Sequence, residues 1–193
     1  FFSKMKNADA KQTYSNVMKV YFIFLLFIFL GVIAYMDILQ YFVGEEYRSG
    51  LKVVPILLAA NLCLGVYYNL SIWYKVSDKT IYGAYISIIG AVVTLVLNYL
   101  LVPQFGYMGA AYTTLICYFL IMVICWAFGQ KYYPVKYPWK RLFLYTMLAF
   151  GLFLLMNNNT IANIPLKLFV NSILLLAFAA VAYWFELRKA LKR

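Results

Sequence analysis

Between Thr80 and Gln130 the chain runs for 51 residues without a charged side chain. No soluble fold offers a core long enough to hide such a run on every face. In lipid the run has a simple solution. A helix spans the hydrocarbon with about 20 residues, range roughly 17–25, so this run folds as two spans joined at Pro103-Gln104-Phe105-Gly106. Four shorter uncharged runs fit one span each: Val20–Met36, Val53–Tyr74, Leu142–Leu166 and Leu168–Phe185. The sequence therefore predicts an all-α polytopic membrane protein with six transmembrane helices, at about 17–40, 53–74, 81–102, 108–129, 142–157 and 165–185. Composition agrees. Hydrophobic residues make up 66% of the chain and charged residues 12%, against about 25% charged in soluble domains. Residues 1–130 supply four helices. Residues 131–193 supply a further helical hairpin and a basic tail.

The net charge of +11 invites a nucleic-acid reading that its distribution opposes. With six spans, one side of the membrane receives Lys4, Lys6, Lys11, Lys19, Lys75, Lys79, Lys131, Lys136, Lys140, Arg141, Arg188, Lys189, Lys192 and Arg193. The other receives only Arg48, Lys52 and Lys167. Cytoplasmic loops carry the lysine and arginine excess, so both termini are expected in the cytoplasm. The basic loops are then a topology signal, and also a lure for anionic lipid head groups. Trp73, Tyr74, Tyr132, Tyr133, Tyr137, Trp139 and Trp184 suit the interfacial aromatic belts. The chain starts at Phe1 without a signal-peptide pattern, which suggests the C-terminal part of a longer transporter. Cys63, Cys117 and Cys125 lack metal-ligand or CxxC spacing, and there is no His.

Polar and small residues fall in stripes. In span 3, Gly83, Ser87, Gly90, Ala91, Thr94 and Asn98 share one helical face. Asn61, Gly65, Tyr68 and Asn69 make a second stripe in span 2. Gly109 or Ala110, Thr113 and Cys117 make a third in span 4. One reading is close helix packing, since small residues let backbones approach in lipid. The other is a water-filled transport cavity lined by Asn61, Asn69 and Asn98, whose amides are costly to leave unpaired in hydrocarbon. Asp37, near the end of span 1, either reaches the interface or carries a proton.

The stretch Asn98, then Leu101-Val102-Pro103-Gln104-Phe105-Gly106-Tyr107-Met108-Gly109-Ala110-Ala111, resembles the turn in the second half of polysaccharide (O-antigen) flippases. These belong to the multidrug/oligosaccharidyl-lipid/polysaccharide exporter superfamily. The turn Phe42-Val43-Gly44-Glu45-Glu46-Tyr47 and the linker Lys75-Val76-Ser77-Asp78-Lys79-Thr80 fit the same family. The resemblance covers most of residues 1–130. It implies helices nine to fourteen of a two-lobed exporter in the bacterial inner membrane. The implied cargo is a polyprenyl-pyrophosphate-linked oligosaccharide moved by alternating access, with membrane lipids and other polysaccharide assembly proteins as partners. It also implies a coupling ion, Na+ or H+, and no other cofactor. Oxygen ligands suit a hard cation, which makes Thr94, Asn98 and Thr114 the candidate cation site. Lys75, Lys79, Lys131, Lys136 and Arg141 become candidate contacts for the pyrophosphate head group.

Three other classes compete. A multidrug or lipid II exporter would share the fold. A membrane polymerase or glycosyltransferase needs acid, base or pyrophosphate-binding groups in sizeable outer loops, and the loops here are short. A structural anchor gains nothing from Asn in the bilayer.

The topology is testable. Cysteines introduced as Glu46→Cys, Gln104→Cys and Asn158→Cys should react with an impermeant thiol reagent added outside intact cells, and Ser77→Cys and Lys136→Cys should not. Outside labelling at position 77 would overturn the orientation or the span count.

Overall fold

The computed structural model describes residues 8–159 and 163–187. Lys4, Lys6, Arg188, Lys189, Lys192 and Arg193, which enter the charge count above, lie outside them. The described residues are mostly helical, without strands. The long helices are α1 (Ala8–Ala34), α3 (Val54–Leu70), α5 (Ile81–Phe105), α6 (Tyr107–Tyr132), α7 (Trp139–Asn157) and α8 (Ile164–Ala182), with α2 (Met36–Leu39) and α4 (Ile72–Val76) as short pieces. Among the described residues, six helices are long and apolar enough to cross a membrane, as the uncharged runs require.

The element boundaries have local causes. Pro55 and Pro165 sit in the first turns of α3 and α8, where the missing N–H costs nothing. Asn163 caps α8, its side chain accepting from Leu166 N at 3.4 Å. Pro103 does not end α5 as the sequence suggested. The helix continues to Phe105 with Pro103 inside it. A proline in the last turn forfeits one backbone bond, and the helix carries on. The break falls at Gly106, whose φ of 57° is open chiefly to glycine. The segment 41–52, expected as a loop, is largely helical too: 3-10 turns occupy Gln40–Phe42 and Glu45–Val53. Arg48 Nε donates to Gln40 O at 3.2 Å across it.

The chain divides into two compact units. Of the described residues, unit 1 takes those up to Phe22 and Lys52–Pro138, and unit 2 takes Ile23–Leu51 and those from Trp139 onward. The long helix α1 thus contributes to both.

In unit 1, α6 packs against α3 and α5. Its buried residues Gly109, Thr113, Cys117, Ile121, Cys125 and Gly129 recur every four positions and form one continuous stripe. Each glycine has a reason. A Cβ at Gly109 would overlap the carbonyl of Leu101, and one at Gly129 would stand 3.0 Å from Trp73 Cδ1. The core around this stripe holds Met18, Val66, Tyr67, Leu70, Trp73, Tyr74 and Ile86.

In unit 2, polar side chains tie the end of α1 to the start of α8. Lys167 Nζ lies 2.7 Å from Asp37 Oδ2. Asn171, buried in α8, donates to Ala34 O at 3.2 Å. Tyr35 and Ser172 share a hydroxyl hydrogen bond of 3.0 Å.

The packing predicts a sharp contrast between glycines. Gly109→Leu drives a side chain into backbone and should cost about 1–3 kcal/mol or more. A Cβ at Gly151 meets nothing within 4 Å, so Gly151→Ala, inside α7, should leave stability equal or higher. Thermal unfolding of the purified variants checks both.

Candidate functional site

The α5–α6 hairpin brings together most of the polar groups singled out in the sequence. Its register is antiparallel. Gly109 backs onto Leu101, and Thr94 meets Cys117. Asn98 and Thr113 therefore share a level between those two contacts. Thr94 Oγ1 lies 2.8 Å from Gly90 O and 3.2 Å from Cys117 Sγ. The Cys117 thiol donates in turn to Gly90 O at 3.3 Å. These three groups satisfy one another.

Asn98 and Thr113 are different. Asn98 Oδ1 and Thr113 Oγ1 are both buried and have no hydrogen-bond partner among the described residues, and Asn69 Oδ1 in α3 shares that condition. Thr113 is 0% exposed. An unpartnered buried polar atom costs about 1–3 kcal/mol. Trp73 Nε1 in α4 is also unmet, so four such groups among the described residues lie in the helices of unit 1, three of them oxygens.

Other predicted members are placed elsewhere. Thr114, chosen for the cation site, turns its hydroxyl to its own helix and donates to Ala110 O at 2.9 Å. It is Thr113 that lies buried in the stripe. Asn61 is exposed, and its Nδ2 donates to Leu57 O at 2.8 Å. Of the three asparagines assigned to a cavity, Asn69 and Asn98 keep a free acceptor and Asn61 faces outward. Asp37 sits in unit 2, paired with Lys167.

Among the predicted head-group contacts, Lys75, Lys79, Lys131 and Lys136 belong to unit 1 and Arg141 to unit 2. Lys79 Nζ stands 3.9 Å over the Tyr132 ring and Lys131 Nζ 5.7 Å from it. Nearby, a cavity of about 10 Å³ is lined by Trp73, Cys125, Gly129, Tyr133 and Tyr137, among others. It has room for about one water molecule. Burial pushes the phenols of Tyr133 and Tyr137 up from their ordinary pKa, so both remain hydrogen-bond donors at neutral pH.

Asn171 and Ser172 were not read from the sequence as functional or structural polar groups. The available signal was Lys167, Asn171 and Ser172 recurring at i, i+4 and i+5 inside an otherwise apolar run.

Comparison with known protein families, with characterised proteins and with solved structures gives no match for this chain.

The two kinds of buried polar group should respond oppositely to removal. Thr113→Val deletes an unpaired hydroxyl at constant volume and should leave thermal stability equal or higher. Asn171→Leu abandons the Ala34 carbonyl and should cost about 0.6–1.7 kcal/mol, the range for such bonds in bilayer proteins. Parallel unfolding curves in one detergent decide both.

Proposed function

We propose that this chain belongs to a membrane transporter, and that its cargo is a polyprenyl-pyrophosphate-linked oligosaccharide turned from one leaflet to the other for surface polysaccharide synthesis. One observation carries the transport reading. Asn69, Asn98 and Thr113 hold buried oxygen atoms without partners inside helices that are long enough to span a membrane. A purely structural bundle would satisfy or discard such groups, as unit 2 does at Asn171. A transporter keeps them because they find partners in another conformation or on a passing solute. Polar groups inside a bilayer are expensive and tend to mark a pathway. The cargo class rests on the turn motif from Asn98 to Ala111 and its likeness to the polysaccharide flippases.

In this reading Asn98 and Thr113 line the path at one level of the α5–α6 hairpin, and Asn69 lines it on α3. A coupling cation, Na+ or H+, would act at the Asn98 level. Thr113 takes the role first given to Thr114, because its hydroxyl is the one in the buried stripe. The location is the bacterial cytoplasmic membrane, with both ends of the chain on the cytoplasmic side.

The test is Asn98→Leu, which removes the amide at similar volume. In cells whose only copy carries this change, the protein should reach the membrane in normal amount. Exposure of lipid-linked oligosaccharide at the outer face should fall at least tenfold. Normal exposure from a folded Asn98→Leu protein would remove Asn98 from the path.

A further inference from the structure

Among the described residues, five lysines of unit 1 lie on the elements that meet at the end of α6. Lys79 Nζ stands over Tyr132 at 3.9 Å, and Lys11 Nζ stands over Tyr133 at 4.5 Å. Lys131 lies in the last turn of α6. Lys136 is next to α1, its carbonyl accepting from Ser15 Oγ at 2.9 Å. Lys75 closes α4. None of these five lysines pairs with a carboxylate among the described residues. The one acid within the linker, Asp78, is exposed and carries no ion pair to Lys75 or Lys79.

Two of these cations are held, not loose. Tyr132 is stacked on Trp73 with ring centroids 5.6 Å apart and planes 17° apart, and its hydroxyl is 2.8 Å from that of Tyr82. The ring is thereby fixed, and it fixes the ammonium above it. The backbone of Lys79 is pinned as well, its N–H donating to Tyr74 O at 2.8 Å. A cation–π contact places the nitrogen without neutralising it. Its N–H groups remain available on the side away from the ring. Lys131 and Lys79 also offset the negative end of the α6 dipole, so that end does not repel an anion.

Position completes the case. The cluster lies where membrane-spanning α6 ends and among the Trp and Tyr side chains that favour the lipid–water boundary. That is the depth of phospholipid phosphates. We propose that the rim formed by Lys75, Lys79, Lys131 and Lys136, with Lys11 beside it, is a binding site for the phosphate of an anionic bilayer phospholipid, seated on the Tyr132 platform. The site is independent of what the protein transports. Lys79 and Lys131 hold the phosphate; Tyr132 and Trp73 hold Lys79.

The experiment uses the purified chain in a zwitterionic detergent, with bound lipids counted by native mass spectrometry. Phosphatidylglycerol is titrated against phosphatidylcholine. The anionic lipid should bind preferentially. A lysine near an anionic surface contributes about fivefold to affinity, so the double variant Lys79→Gln, Lys131→Gln should weaken phosphatidylglycerol binding about 25-fold. Lys52→Gln, at an exposed lysine in the 3-10 segment before α3, should leave it unchanged. Unfolding temperatures of the variants confirm that each is folded. Equal binding of the two lipids would overturn the proposal. So would a loss with Lys52→Gln as large as with the double variant, since that is net charge alone. Displacement of the lipid by millimolar inorganic phosphate would also overturn it, because the site would then serve a soluble anion.

Discussion

The carbonyl of Leu101 leaves no room for a side chain at position 109, and the arrangement of unit 1 follows from that contact. It holds α5 and α6 at backbone distance just beyond the Gly106 reversal. Every fourth residue of α6 is then committed to the interface, through Thr113, Cys117, Ile121, Cys125 and Gly129. In lipid there is no hydrophobic drive to bring two apolar helices together, and close van der Waals contact takes its place. A glycine at each end of the stripe provides that contact, against the Leu101 backbone at one end and the Trp73 ring at the other. The polar residues between them inherit their depth and partners from a register that the glycines set.

The two units treat buried polar groups differently. In unit 2 the groups close on one another. Asn171 answers a carbonyl at the end of α1, where a helix leaves its last acceptors unpaired, and Lys167 answers Asp37. In the α5–α6 hairpin the Thr94, Cys117 and Gly90 set is equally closed, yet Asn98 and Thr113, one turn away, are left open. The difference cannot be put down to a general tolerance of unmet polar atoms, because neighbours at similar depth are met. Two of the four open groups share one level of the hairpin, and Asn69 and Trp73 hold the others in unit 1.

The number and place of the spans were legible in the sequence because charge is excluded from hydrocarbon, and a 51-residue uncharged run admits few solutions. The boundaries were less so. The expected span stopped at about 102, just before Pro103, but a proline in a last turn costs one bond and the chain absorbed it, leaving Gly106 to make the break. The helical segment after α1 was hidden because Glu45, Glu46, Arg48 and Gly50 read as a loop, while short 3-10 turns need little from composition. Asn69 and Asn98 were legible as polar intrusions in apolar runs. Thr113 was legible too, in the stripe with Cys117, and choosing Thr114 for the cation site set that stripe aside. Thr113 and Thr114 differ by 100° around the helix, and the contact at Gly109 fixes the phase. The tyrosine platform beneath Lys79 was out of reach, since it depends on stacking between residues far apart in sequence.

Charge asymmetry is steeper in the folded chain than in the residue count. Counting alone assigns Arg48, Lys52 and Lys167 to the sparsely basic side. In the structure Lys167 is paired with Asp37 at 2.7 Å and Arg48 with Glu45 at 3.5 Å. The Arg48 pair is exposed and weak; the Lys167 pair is partly sheltered and nearer to neutral. Lys52 is then the one cation of the three without an acidic partner among the described residues. Lys11 and Lys79 on the other side rest on tyrosine rings, which localise a charge without cancelling it. Orientation in a membrane responds to positive charge that is free to act at the surface. On the expected topology, competing charge on one side is thus answered by carboxylates, while charge on the other is held in place by aromatic faces.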